Sequence, residues 1–135
     1  METKTIYISG KITGDPFFRS KFKRAKDQLL NDPNINWIVV NPAELPDGFT
    51  YEQYMRIDNA LLKECDAIFM LRDWHESPGA GKEFILANRL CKDIIYQERY
   101  EYLAAQRVVK EMERREHHGN KKSTVRSERS AVYVA

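Results

Sequence analysis

The stretch with the clearest chemical potential is Ser77-Pro78-Gly79-Ala80-Gly81-Lys82-Glu83, which separates an apolar run from a helical pattern. Ser77 suits an N-cap and Pro78 the first helical position, so a helix is expected to open here. The glycines at 79 and 81 let a ligand come close to the backbone. The unpaired N–H groups and partial positive charge of a helix N-terminus suit a phosphate or another anion. Helical spacing places Ala80, Glu83, Ala87 and Leu90 on one inward face. A carboxylate is thereby aimed inward beside an anion site. A second acid, Asp58, falls on an apolar stripe with Tyr51, Tyr54, Met55, Leu61, Leu62 and Cys65. A carboxylate in that position is costly unless it is paired, solvated by a cleft or neutralised by a raised pKa.

These residues need a scaffold, and the pattern supplies one. Thr5–Ser9 is β-rich and ends at Gly10, giving a first strand. Asp15-Pro16 resembles a second N-cap-plus-Pro start, for a helix burying Phe18, Phe22, Ala25 and Leu29. Asn31-Asp32-Pro33-Asn34 ends that helix. Trp37–Val40 is a continuous apolar run, expected for a strand covered on both faces. Thr50 and Gln53 form a capping box that opens the Asp58 helix. Ala67–Leu71 is a third strand, entered through the turn residue Asp66, and Ile94–Tyr96 a fourth.

Strands alternating with amphipathic helices predict an α/β fold: a small Rossmann-like or flavodoxin-like parallel sheet of four strands in order 2-1-3-4. Ligands bind at the carboxyl ends of such strands, near the switch between the first and third. The loop after Ser9, holding Gly10, Lys11 and Ile12, therefore faces the same cleft as Tyr7 and the start of the Glu83 helix. The expected organisation is an α/β domain over 1–97, a charged C-terminal helix over 98–118 and a basic tail over 119–135. In the helix, Tyr102, Ala105, Val109 and Met112 make a weak stripe.

At 135 residues, 42% hydrophobic and 31% charged, the chain is an ordinary single-domain length and composition. Residues 1–97 hold 13 Lys+Arg against 14 Asp+Glu, and 98–135 hold 9 against 6. That excess is too small to imply polynucleotide binding by the folded part. No apolar run approaches the roughly 18 residues of a membrane span, and no signal-peptide pattern is present, which predicts a cytoplasmic protein. Cys65 and Cys91 are expected as two buried free thiols. His75, His117 and His118 lack metal-ligand spacing, so no metal is expected. The Gly79–Glu83 segment lacks the phosphate-loop frame of the nucleoside-triphosphatases, with Glu83 where Ser or Thr is required.

Three segments together, "KTIYISGKITG", "IDNALLKECDAIFML" and "SPGAGKEFILA", resemble the nucleoside 2-deoxyribosyltransferases and the related 2'-deoxynucleoside 5'-phosphate N-hydrolases, including short phage and bacterial relatives. The resemblance covers residues 4–96. It implies cleavage of an N-glycosidic bond without metal or redox cofactor. Glu83 matches the glutamate that attacks the anomeric carbon, Asp58 the carboxylate that handles the sugar hydroxyl or leaving base, and Tyr7 the tyrosine that positions the glutamate. Ser77 falls where the phosphate hydrolases bind phosphate, whereas the free-nucleoside transferases carry an acid there, so the resemblance favours a 5'-monophosphate. Thr13 stands where several phosphate hydrolases have arginine, leaving Lys11 or Arg19 to supply a cation. Relatives build sites at subunit contacts, which implies a homodimer or larger homo-oligomer. The chemistry would be the two-carboxylate kind, in which one group stabilises or bonds to an oxocarbenium-like centre while the second helps the base depart.

Each residue also has a plain structural reading. Glu83 could be a solvated helix-end acid, Asp58 a surface partner of Arg56 or Lys63, Tyr7 a strand residue and Ser77 only a cap. Trp74, before Ser77, could stack on a nucleobase or simply pack. The rival functions are a free-nucleoside deoxyribosyltransferase, a non-catalytic protein holding a nucleotide or ADP-ribose-type signal, and a structural partner acting through the 98–117 helix.

Overall fold

Four apolar runs become the strands of one parallel sheet in the computed structural model, which describes residues 1–119. The strands are β1 Glu2–Ser9, β2 Ile35–Val40, β3 Ala67–Met70 and β4 Asp93–Tyr96, in the expected order β2-β1-β3-β4. Helices α1 Phe18–Leu30, α2 Tyr51–Lys63 and α3 Pro78–Arg89 connect them, and α4 Gln97–Gly119 follows β4. The first compact unit spans Met1–Tyr100 and a second begins at Glu101. Within the first, Tyr100 donates to Asp32 at 2.7 Å and packs edge-on against Phe69. The basic tail expected over 119–135 lies, apart from Gly119, outside the described residues. Among the described residues no helix is long and apolar enough to cross a membrane.

Alternation along β1 divides the core in two. Ile6 and Ile8 face one side with Trp37, Phe69 and the α1 residues Phe22, Ala25 and Leu29. Tyr7 faces the other with Ile68, Met70, Leu62 of α2 and Ala87 of α3. Parallel register sets Tyr7 beside Val40 and Ile68, and Ser9 beside Met70. The two β1 residues at i and i+2 thus point toward the helices carrying the candidate acids. Both halves of the Thr50–Gln53 capping box form, fixing the start of α2. Asp66 is structural: its carboxylate accepts from the Thr5 N–H and hydroxyl at 2.9 and 3.0 Å, tying β3 to β1.

Five local expectations are corrected. Helix α1 opens at Phe18 without a side-chain cap. The Asp15 carboxylate accepts from the Phe17 N–H at 2.9 Å and binds Lys21 at 2.5 Å, so it closes a turn ahead of the helix. Strand β2 is not covered on both faces: it is an edge strand, and Ile38 is 52% exposed on the side where α2 and α3 cover β1 and β3 instead. Leu90 is exposed because α3 has ended before it. Cys65 is buried but Cys91 is exposed, at a left-handed φ of 56° just past the α3 C-terminus. On α4, Tyr102 and Met112 of the expected stripe are exposed.

Candidate active site

Glu83 sits on the inward face of α3, 5% exposed, with Ala80 and Ala87 buried on the same face. Both of its oxygens are held by neutral hydroxyls from β1. Tyr7 Oη donates to Oε2 at 2.7 Å and Ser9 Oγ donates to Oε1 at 2.7 Å. Asp58 projects from α2, is 7% exposed, and its Oδ1 has no hydrogen-bond partner. The surface pairing of Asp58 with Arg56 or Lys63 is therefore excluded by its burial. The Tyr7 hydroxyl also faces Asp58, so one tyrosine lies between two buried carboxyls.

Burial dominates the electrostatics. It pushes Glu83 up to about 7, against the two hydroxyl bonds that favour its charged form, and the negative charge of Asp58 adds to the rise. Burial likewise raises Asp58 to about 6. Tyr7 is held well above its ordinary value of 10.0, first by burial and then by the two carboxylates, so it remains a donor. The two acids share Tyr7 and titrate as a pair. The Tyr7 hydroxyl donates to Glu83 Oε2, while Oδ1 of Asp58 has no donor.

A cavity of about 840 Å³ opens over these groups. Of the residues expected to bind substrate, Gly10, Ile12, Ser77 and Gly79 line it with Tyr7, Asp58 and Glu83. Ser77 caps α3 as expected, its Oγ accepting from the Ala80 N–H at 3.1 Å. Lys11, Gly81 and Trp74 are not among the lining residues. The Lys11 N–H donates to Asp73 at 3.1 Å and its ammonium lies 3.6 Å from Glu76. A side chain at Gly81 would meet open space, so no close approach requires glycine there. Trp74 stacks on Phe84 of α3 with centroids 4.8 Å apart. Gly10 is needed for a different reason from ligand approach: an added Cβ would come within 2.7 Å of Leu71 Cδ1.

Several participants escaped the sequence reading. Ser9 is fully buried, and the only available signal was its period-2 relation to Tyr7. Lys21 ties the loops after β1 and β3 at the cavity mouth: its ammonium donates to the Lys11 carbonyl at 2.8 Å, to Asp15 and to Asp73. Phe18, Phe22, Tyr51 and Met55 give the cavity an apolar wall. Among the described residues no group of three or more His, Cys, Asp or Glu side chains is placed to hold a metal ion.

A family profile described as "Domain of unknown function (DUF4406)" matches residues 4–96. The chain belongs to the DUF4406 family. The matched span carries all three acid-and-tyrosine positions and ends at the last residue of β4, so the DUF4406 domain is the sheet with its three crossover helices. No curated protein matches the chain. Among solved structures the DUF4406 chain is similar to a 2-desoxiribosyltransferase from Leishmania mexicana, at 20% identity and a TM-score of 0.52. The match covers 69% of this chain and 63% of that one. At that identity the likeness establishes a shared Rossmann-type α/β fold.

Proposed function

We propose that this domain cleaves the N-glycosidic bond of a (2'-deoxy)nucleoside 5'-monophosphate, with Glu83 as nucleophile. The carrying observation is a buried carboxylate whose two oxygens are each held by a hydroxyl, facing a second buried acid across one cavity. A Glu83 oxygen bonds to C1′ as the C1′–N bond breaks. The bonding pair leaves with the base, which takes a proton from Asp58. Water then attacks C1′, the ester bond returns its electrons to Glu83, and the water proton returns to Asp58. A second base in place of water gives transfer. Developing positive charge on the sugar is stabilised by the Glu83 carboxylate that faces it. The structural neighbour, a 2-desoxiribosyltransferase, is an enzyme of the same chemical class.

The 5'-phosphate would lie at the α3 N-terminus, where Ser77 and Gly79 line the cavity. One observation favours the sister reading, a free-nucleoside 2-deoxyribosyltransferase. Asp15, Asp47 and Glu76 also line the cavity, and Arg19, the only cation among the described lining residues, is paired with Asp47. Asp15 and Glu76 likewise hold Lys21 and Lys11, so these cations are already engaged by acids rather than turned to a phosphate dianion. The same reading includes self-association, which sedimentation tests; a monomer at micromolar concentration counts against it.

The decisive assay incubates the protein with matched nucleosides and 5'-monophosphates, with and without an acceptor base, and measures free base and exchanged nucleoside. Base release preferring the monophosphate is expected. Base exchange without phosphate preference selects the transferase. Tight retention of nucleotide with neither product leaves only a binding protein and overturns both enzyme readings.

A further inference from the structure

Ser9 is fully buried and is not among the cavity-lining residues, yet it donates to Glu83 Oε1 at 2.7 Å. Tyr7, which does line the cavity, takes the other oxygen. The two hydroxyls come from the same face of β1, two residues apart, so the carboxylate plane is fixed to the strand by both oxygens. The oxygen held by Tyr7 thus has its donor in the cavity wall, and the oxygen held by Ser9 has its donor behind that wall. We infer that Ser9 is a positioning residue that pins Oε1 against β1 and leaves Oε2 as the oxygen that bonds to C1′. The inference rests on the reading of Glu83 as nucleophile.

The geometry gives Ser9 two effects on Glu83. It stops the carboxyl group rotating about its last torsion, which keeps one lone pair of Oε2 aimed at the cavity. It also supplies one of the two donors that Glu83 has among the described residues, so it favours the ionised form that can attack. No substrate contact is needed for either effect. Removing the hydroxyl leaves Oε1 without a donor in a wall that substrate does not reach.

The test follows the Glu83 side-chain carboxyl by carbon-13 NMR in the wild type, Ser9→Ala and Ser9→Cys, and runs the pH profile of base release in parallel. In Ser9→Ala the Glu83 titration should move up by about one unit, as loss of one charge-assisted hydrogen bond predicts. The limb of the kcat profile set by Glu83 should move with it, with KM within about twofold, because Ser9 acts through Glu83 and touches no substrate. Ser9→Cys, which fills the site with a weaker donor, should shift both in the same direction by less. A Glu83 titration unmoved in Ser9→Ala overturns the role of Ser9 whatever the activity. A shifted titration with no base release by the wild type leaves Ser9's hold on Glu83 but overturns the assignment of Oε2 as the attacking oxygen.

Discussion

The Tyr7 hydroxyl stands 2.7 Å from Oε2 of Glu83, joining two positions 76 residues apart. The bond exists because the Tyr7 side of β1 is covered by α3, whose Ser77 cap and Pro78 start set Glu83 opposite that strand. Since burial and two neighbouring acids hold Tyr7 protonated, its hydroxyl can only donate to a carboxylate. Tyr7→Phe should therefore lower base release by about 100-fold through loss of one oriented donor. The accompanying stability change should be about 1 kcal/mol. Steady-state kinetics and thermal melts on the same preparation check both.

The paired acids predict a bell-shaped pH profile. With Glu83 raised to about 7 and Asp58 to about 6, the state with one proton on the pair is most populated between those values. Below that window both acids are protonated and Glu83 cannot attack, and above it neither holds a proton to give the base. A kcat/KM profile in overlapping buffers should peak there and fall on both sides. A profile flat from pH 5 to pH 8 is the contrary result, this range being set at roughly a unit beyond each limb.

The same shift makes stability depend on pH with a definite sign. Glu83 rises from an ordinary 4.5 to about 7, so the folded protein holds its proton more tightly than the unfolded chain. Native stability therefore falls as pH climbs from about 4.5 toward 7 and stays low above it. Glu83→Gln removes that penalty. Urea unfolding at pH 8 should show the variant more stable, on the order of 2 kcal/mol, with the advantage gone at pH 4.

Sheet order, the α2 capping box and the Ser77-Pro78 start of α3 were legible because each is a local signal: alternation, a four-residue box and a cap with proline. Glu83 and Asp58 were legible as acids on apolar stripes, an inconsistency that marks a site rather than a core. Ser9 was not, since serine at a strand end is ordinary and only the third dimension brings Oγ to Glu83. Edge exposure of Ile38 was equally hidden: an apolar run looks the same whether helices cover one face or two. Trp74 invited a base-stacking role because it precedes Ser77, but its ring stacks on Phe84, well inside α3. Asp15 looked like a cap because Pro16 follows it, and Lys21 drew its carboxylate elsewhere.

Two glycines make a contrasting pair. At Gly10 an added methyl meets Leu71 Cδ1 at 2.7 Å and its Cβ at 2.9 Å, pressing apart the loops that follow β1 and β3. Gly10→Ala should cost about 1–3 kcal/mol and weaken substrate binding, because both loops frame the cavity. At Gly81, inside α3, the added methyl meets nothing within 4 Å. Gly81→Ala should stabilise the protein by roughly 0.5–1 kcal/mol with base release unchanged. Chemical denaturation of both variants beside the wild type checks the pair.

The most direct measurement is the rate of base release by Glu83→Gln, under conditions where a melt shows the variant folded. Gln keeps the shape of Glu83 and one of its two accepting oxygens, but it cannot form the bond to C1′. The rate should fall by about 1,000-fold or more relative to the wild type. A variant that releases base within tenfold of the wild type would contradict Glu83 as the nucleophile.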